Sequence, residues 1–193
     1  MLQFIAERNE RYSISEQVKM ATDSGCAWVQ LCLPDITDAE TKELTDTVVP
    51  MCREAGIILT IEDNAELAQQ LGLHGVHLTN SEANARQMRQ DLGAEAIIGI
   101  NITSAQGVPT LAKLDIDYVT VAPQLSAEQA AEIVNTVRAV GCDMPIVLTG
   151  EFDCLDIMTI RNAGVNGVAT GRKLMASANP SEATKQLLTA LMQ

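Results

Sequence analysis

The sequence predicts an α/β fold, a compact (β/α)8 TIM barrel spanning residues 1–193 as a single domain. Three observations predict it. Eight short β-rich runs alternate with helical stretches from end to end. The units are evenly spaced, about 24 residues each over the 193 of the chain. No Gly-x-Gly-x-x-Gly follows a strand, as a doubly wound dinucleotide fold would require. Barrels of this kind usually need about 200–250 residues, so little length remains for a lid or a second domain.

The strands are expected at Leu2–Ala6, Trp28–Leu33, Ile57–Glu62, Gly75–Leu78, Ile97–Asn101, Tyr118–Val121, Pro145–Thr149 and Gly167–Thr170. Most are apolar on both faces, as in VTVA and PIVLT, which is the pattern of parallel strands covered on both sides. Between them, Ser15 is placed to cap a helix over Glu16–Asp23. A helix from Asp38 to Ala55 contains Pro50, which predicts a kink or break near Val49. Ala65–Leu71 is a short helix, and Ser81 caps Glu82–Leu92. A helix over Gly107–Leu114 must accommodate Pro109. Ser126 caps Ala127–Val140, where Ala130, Ile133, Val134 and Val137 form one apolar face. Phe152–Asn162 and Ser181–Met192 complete the set.

Composition narrows the function. Of 193 residues, 47% are hydrophobic and 20% charged, as in an ordinary globular domain. No run of apolar residues is long enough to span a bilayer. MLQFIAERNE has no basic flank leading into an apolar run, so no signal peptide is expected and the cytoplasm is the default expectation for its location. Acidic residues outnumber basic ones 25 to 13, a net charge of −12. That field repels nucleic-acid backbones, and 3% aromatics supply few stacking platforms. A small phosphorylated ligand is still compatible, because backbone N–H groups can bind an anion locally. The five cysteines are odd in number and form no Cys-x-x-Cys pair, which argues against zinc sites and disulfides.

In a parallel barrel the chemistry sits at the C-terminal ends of the strands. Polar residues there are Gln30 and Cys32 on the second strand, Glu62 and Asp63 after the third, and His77 in the fourth. Glu82 opens the next helix, Asn101 ends the fifth strand, Gly150 follows the seventh, and Thr170, Gly171, Arg172 and Lys173 close the set. Each has a plainer reading. Gln30 and His77 suit hydrogen-bonded interior positions, Cys32 suits packing, and Asp63 and Glu82 suit helix N-termini. The Thr170–Lys173 turn opens a helical stretch over Leu174–Ser177, where such barrels bind phosphate on backbone N–H groups. Its plainer reading is two solvated surface cations.

These residues bring out a family likeness. The chain resembles the thiamine phosphate synthases and their thiazole tautomerase relatives over nearly its whole length. The carriers are IAER at 5–8, GCAWVQL at 25–31, GIILTIEDNAELAQQLGLHGVHLTNSE at 56–82, IIGIN at 97–101, DIDYVTVAP at 115–123, PIVLTGEF at 145–152 and AGVNGVATG at 163–171. The resemblance implies a homodimeric barrel that joins a pyrimidine diphosphate to a thiazole phosphate. Gly150, Thr170, Gly171 and Arg172 would hold the phosphate, and Asp63 and Glu82 a magnesium ion. Gln30, Glu62, His77 and Asn101 are the candidate catalytic positions.

The likeness fails where charge is needed. The family's Gln-Leu-Arg-x-Lys run reads Gln30-Leu31-Cys32-Leu33-Pro34, and its Asn-Asp-Arg run reads Glu62-Asp63-Asn64. Its Gly-Gln-x-Asp run reads Thr79-Asn80-Ser81-Glu82, and its Gly-Gly-Ile run reads Gly150-Glu151-Phe152. A diphosphate leaving group needs cations to absorb its developing charge. The expectation is therefore a synthase-like protein with weak, altered or lost activity. The alternatives are a non-catalytic binding or regulatory protein, or another barrel enzyme using Glu62 and His77 as acid and base.

Overall fold

The structure is a computed structural model that describes residues 1–79, 82–104, 114–121, 127–141, 143–157 and 164–192. The expected caps Ser81 and Ser126, the helix at 107–113 and the helical residues 158–162 lie outside the described residues, as do the side chains of Glu82 and Ala130.

Eight parallel strands close into a barrel in chain order. They are β1 (Leu2–Glu7), β2 (Trp28–Cys32), β3 (Ile58–Glu62), β4 (Gly75–Leu78), β5 (Ile97–Ile102), β6 (Tyr118–Val121), β7 (Ile146–Thr149) and β8 (Gly167–Thr170). Closure is made by β1 against β8, with Leu2 opposite Val168 and Phe4 opposite Thr170. Every strand is hydrogen-bonded on both edges, so the barrel leaves no edge strand.

Side chains alternate between two environments. Phe4, Val29, Leu31, Leu59, Ile61, Val76 and Ile98 face outward, into one continuous core with helix residues such as Val18, Leu44, Val48 and Leu187. The inward residues form a smaller cluster, in which Tyr118, Val147 and Ala169 pack with Ile5, Trp28 and Ile97. Gln3, Gln30, Thr60, His77 and Thr120 are also buried. Two glycines make room inside. A Cβ on Gly99 would lie 2.1 Å from the Tyr118 ring, and one on Gly171 would lie 1.9 Å from the Ile5 carbonyl oxygen. Close approach, not backbone freedom, requires glycine at both positions.

The helices are α1 (Ile14–Asp23), α2 (Asp38–Glu43), α3 (Val49–Glu54), α4 (Ala65–Leu71), α5 (Glu82–Leu92), α6 (Ala127–Ala139), α7 (Arg172–Ala176) and α8 (Pro180–Met192). Three expectations are corrected here. The cap of α1 is Ser13, not Ser15, because Ser13 and Glu16 exchange hydrogen bonds as a capping box. Pro50 does not break its helix. A π-helical turn over Leu44–Val48 joins α2 to α3, and the Val49 N–H donates to the Leu44 carbonyl. Proline offers no N–H and crowds the carbonyl four residues back, and the widened turn just before it absorbs both effects. Phe152 and Asp153 are not helical. The Asp153 carboxylate accepts from the Leu155 N–H in a tight turn, and the Phe152 ring packs on Gly150. No helix among the described residues is long and apolar enough to cross a membrane.

Candidate active site at the barrel mouth

The C-terminal rim of the barrel gathers Glu7, Cys32, Glu62, Asn101 and Gly171, each at or just past a strand end. Beneath them runs a chain of buried hydrogen bonds. Gln30, 2% exposed, donates from Nε2 to Glu62 Oε1 at 2.6 Å. Its Oε1 accepts from Gln3 Nε2 at 2.7 Å, and the same nitrogen donates to the Tyr118 hydroxyl at 2.9 Å. That hydroxyl lies 3.1 Å from His77 Nδ1. His77 Nε2 lies 3.2 Å from Thr120 Oγ1, which donates to Asn101 Oδ1 at 3.2 Å. One connected network thus spans from β3 to β5 through the barrel interior.

Burial sets the charges. Desolvation pushes the Glu62 carboxyl up, while hydrogen bonds from Cys32 and Gln30 oppose it. The Cys32 thiol is pushed up to about 12 by burial, then by its hydrogen bond to Glu62 and the nearby charges of Glu62 and Glu7. It stays a neutral donor, not a thiolate nucleophile. Burial also lowers His77 to about 4. His77 is 4% exposed and both ring nitrogens are engaged. The hydrogen-bonded interior position that suits a strand histidine is the one it occupies.

Asp63 is a non-glycine residue in the left-handed region, at φ 47°. Its carboxylate accepts from the Thr79 N–H at 3.0 Å and from the Thr79 hydroxyl through its other oxygen. The cap of α4 is Asn64, whose Oδ1 accepts from the Leu67 N–H at 3.0 Å; the helix-cap reading of Asp63 is corrected accordingly. The Glu82 side chain lies outside the described residues. Among the described residues no three histidine, cysteine, aspartate or glutamate side chains are grouped to hold a metal ion, and each Asp63 oxygen accepts a hydrogen bond from Thr79.

Three cations that follow β1 and β8 are ion-paired, and Arg11 instead donates to the carbonyls of Met175, Ala176 and Ser177. Arg172 forms a two-pronged pair with Glu7 at 2.7 and 2.9 Å. Arg8 does the same with Glu40 at 2.6 and 2.9 Å. Lys173 lies between Asp153 at 2.8 Å and Asp156 at 3.2 Å. Gly171 precedes α7 as expected. Thr170 is buried and accepts from the Phe152 N–H at 3.3 Å, while the Gly150 N–H donates to the Ala169 carbonyl.

Sequence reasoning missed Gln3, Glu7, Tyr118 and Thr120. The signal for Gln3 and Glu7 was available: alternation along LQFIAE puts Gln3, Ile5 and Glu7 on one face. Nothing local marks Tyr118, whose role depends on partners far away in sequence.

The fold and the rim together define a (β/α)8 barrel protein with a cluster of polar side chains at the C-terminal mouth, the end where such barrels carry their sites. Residues 2–174 match the thiamine monophosphate synthase (TMP-TENI) family. The thiamine-phosphate synthase of Bacteroides fragilis is 30% identical, over 97% of this chain and 98% of its own. That of Leptospira biflexa is 28% identical, over 91% and 89%. In fold, the thiamine phosphate pyrophosphorylase of Pyrococcus furiosus superposes with a TM-score of 0.85 at 20% identity, covering 99% of this chain and 95% of that one. The Bacteroides thetaiotaomicron thiamine phosphate pyrophosphorylase gives 0.70 at 16% identity, covering 98% and 97%. This chain belongs to the thiamine monophosphate synthase family.

Proposed function

We propose that this chain is a thiamine phosphate synthase-like protein of thiamine metabolism in which the synthase reaction is weak or lost. That reaction joins hydroxymethylpyrimidine diphosphate to thiazole phosphate. One observation carries the reading: Arg8, Arg172 and Lys173, which follow β1 and β8, are each tied to a carboxylate of the same chain. A departing diphosphate concentrates negative charge, and catalysis depends on cations aimed at it. Here Cys32 and Asn64 stand where the family resemblance expects arginines, and Glu62 adds a carboxylate to the same rim.

In this reading Gly150, Thr170, Gly171 and Arg172 border the phosphate of the thiazole, and Gln30 and Asn101 orient polar groups of the ligands. Arg172 must leave Glu7 to reach a phosphate.

The test is a side-by-side assay with the Bacteroides fragilis enzyme, using both substrates and magnesium. Losing the diphosphate-binding cations is expected to lower kcat/KM at least ~100-fold. Turnover within tenfold of that enzyme would overturn the reading. Calorimetric binding of thiazole phosphate without turnover would support it.

A further inference from the structure

The buried network has a direction, and one residue sets it. Gln30 turns its Nε2 to the Glu62 carboxylate, so its Oε1 must face Gln3. Gln3 can meet that oxygen only with its own NH2 group. The same nitrogen carries a second N–H, which goes to the Tyr118 hydroxyl. This orientation is held even though Gln3 Oε1 is left buried without a partner. Flipping the amide would place two carbonyl oxygens face to face.

The rest follows by counting protons. The Tyr118 oxygen accepts from Gln3, so its single proton points to His77 Nδ1, 3.1 Å away. A neutral ring then carries its proton on Nε2 and donates it to Thr120 Oγ1. Thr120 passes its own proton to Asn101 Oδ1. The opposite tautomer would aim two donors at Tyr118 and leave the hydroxyl proton buried with no acceptor, at a cost of about 1–3 kcal/mol. The low His77 value, about 4, keeps the ring neutral near pH 7.

We propose that Gln3 is a positioning residue for the mouth: through Tyr118 it fixes His77 as the Nε2–H tautomer and turns the Asn101 carboxamide so that its NH2 is presented to the ligand. Two branches leave Gln3. One ends on the Glu62 carboxylate at β3, the other on the Asn101 carbonyl at β5, two strands away. The rim therefore offers an acceptor on one side and an N–H donor on the other. A bound molecule must bring a donor to Glu62 and an acceptor to Asn101. The assignment holds whatever reaction the site performs.

The chain has two histidines, so the tautomer can be read directly by nitrogen NMR of the full-length protein labelled at histidine, with His74→Gln used to assign the signals. The wild-type protein at pH 7 should show His77 with a proton on Nε2 and none on Nδ1. Gln3→Met keeps the side-chain length but removes both donors, and Tyr118→Phe removes the proton aimed at Nδ1. Each should raise the ratio of Nδ1–H to Nε2–H about tenfold. A wild-type Nδ1–H form or an imidazolium at pH 7 would overturn the proposal, as would an unchanged ratio in folded Gln3→Met. Should a variant fail to fold, the wild-type spectrum still decides the tautomer.

Discussion

His77 shows how far an individual residue's role depends on its surroundings. A histidine in a strand next to Glu62 and Asp63 reads first as a hydrogen-bonded core residue and second as an acid or base of the site. Burial decides for the core, and it carries a pH dependence. His77 titrates at about 4 in the folded protein, against about 6.5 when exposed. The folded state binds the proton less well, so its contribution is present above pH 6.5 and lost as pH falls toward 4. The span corresponds to about 3 kcal/mol. Glu62, pushed upward by burial, works the other way, since its protonation on acidification favours the folded state. Urea unfolding between pH 7 and 4 should show stability falling by a few kcal/mol. In His77→Gln, less stable at neutral pH, the slope should be largely gone. An equal slope in both would show that His77 is not the group responsible.

Local hydrogen bonds set where elements begin and end. Both Ser13 and Ser15 are capping residues by type, but only Ser13 stands three residues before a glutamate that returns the bond. Ser13→Ala should cost about 1 kcal/mol in urea unfolding, and Ser15→Ala only a few tenths. Equal losses would refute the assignment of the cap. The π-helical turn before Pro50 makes a related point: a proline breaks a helix only when no neighbouring turn can widen to accommodate it. Periodicity located the strands to within a residue or so, because each must be apolar toward the helices. The start of the helix after β7 was not legible. Phe152 fits a helical pattern, yet its N–H donates to Thr170 Oγ1 on β8, a partner 18 residues away that no local rule supplies.

Charge acts on the molecule as a whole. The net charge is −12, and most of the ion pairs lie on exposed positions, where each is worth about 0–1 kcal/mol. Self-repulsion of the excess carboxylates should therefore outweigh the loss of those pairs when salt is added. Raising sodium chloride from low concentration to about 0.3 M should increase Tm by about 2–4 °C in a thermal melt. A fall in Tm would mean that the ion pairs dominate.

Eight β/α units, their order and the family can be read from the linear pattern, because two-sided burial, turn residues and motif spacing are local properties of the chain. The contacts that give the rim its character are of another kind. Arg172 reaches Glu7 across 165 positions, and Gln3 reaches Tyr118 across 115. Both depend on closure of the barrel, which sets the first strand beside the last and turns alternate side chains toward a common axis. Until that geometry exists, a cation and a carboxylate so far apart in the chain have no means of finding each other. The Arg172–Glu7 ion pair and the buried hydrogen-bond network are therefore products of the closed fold.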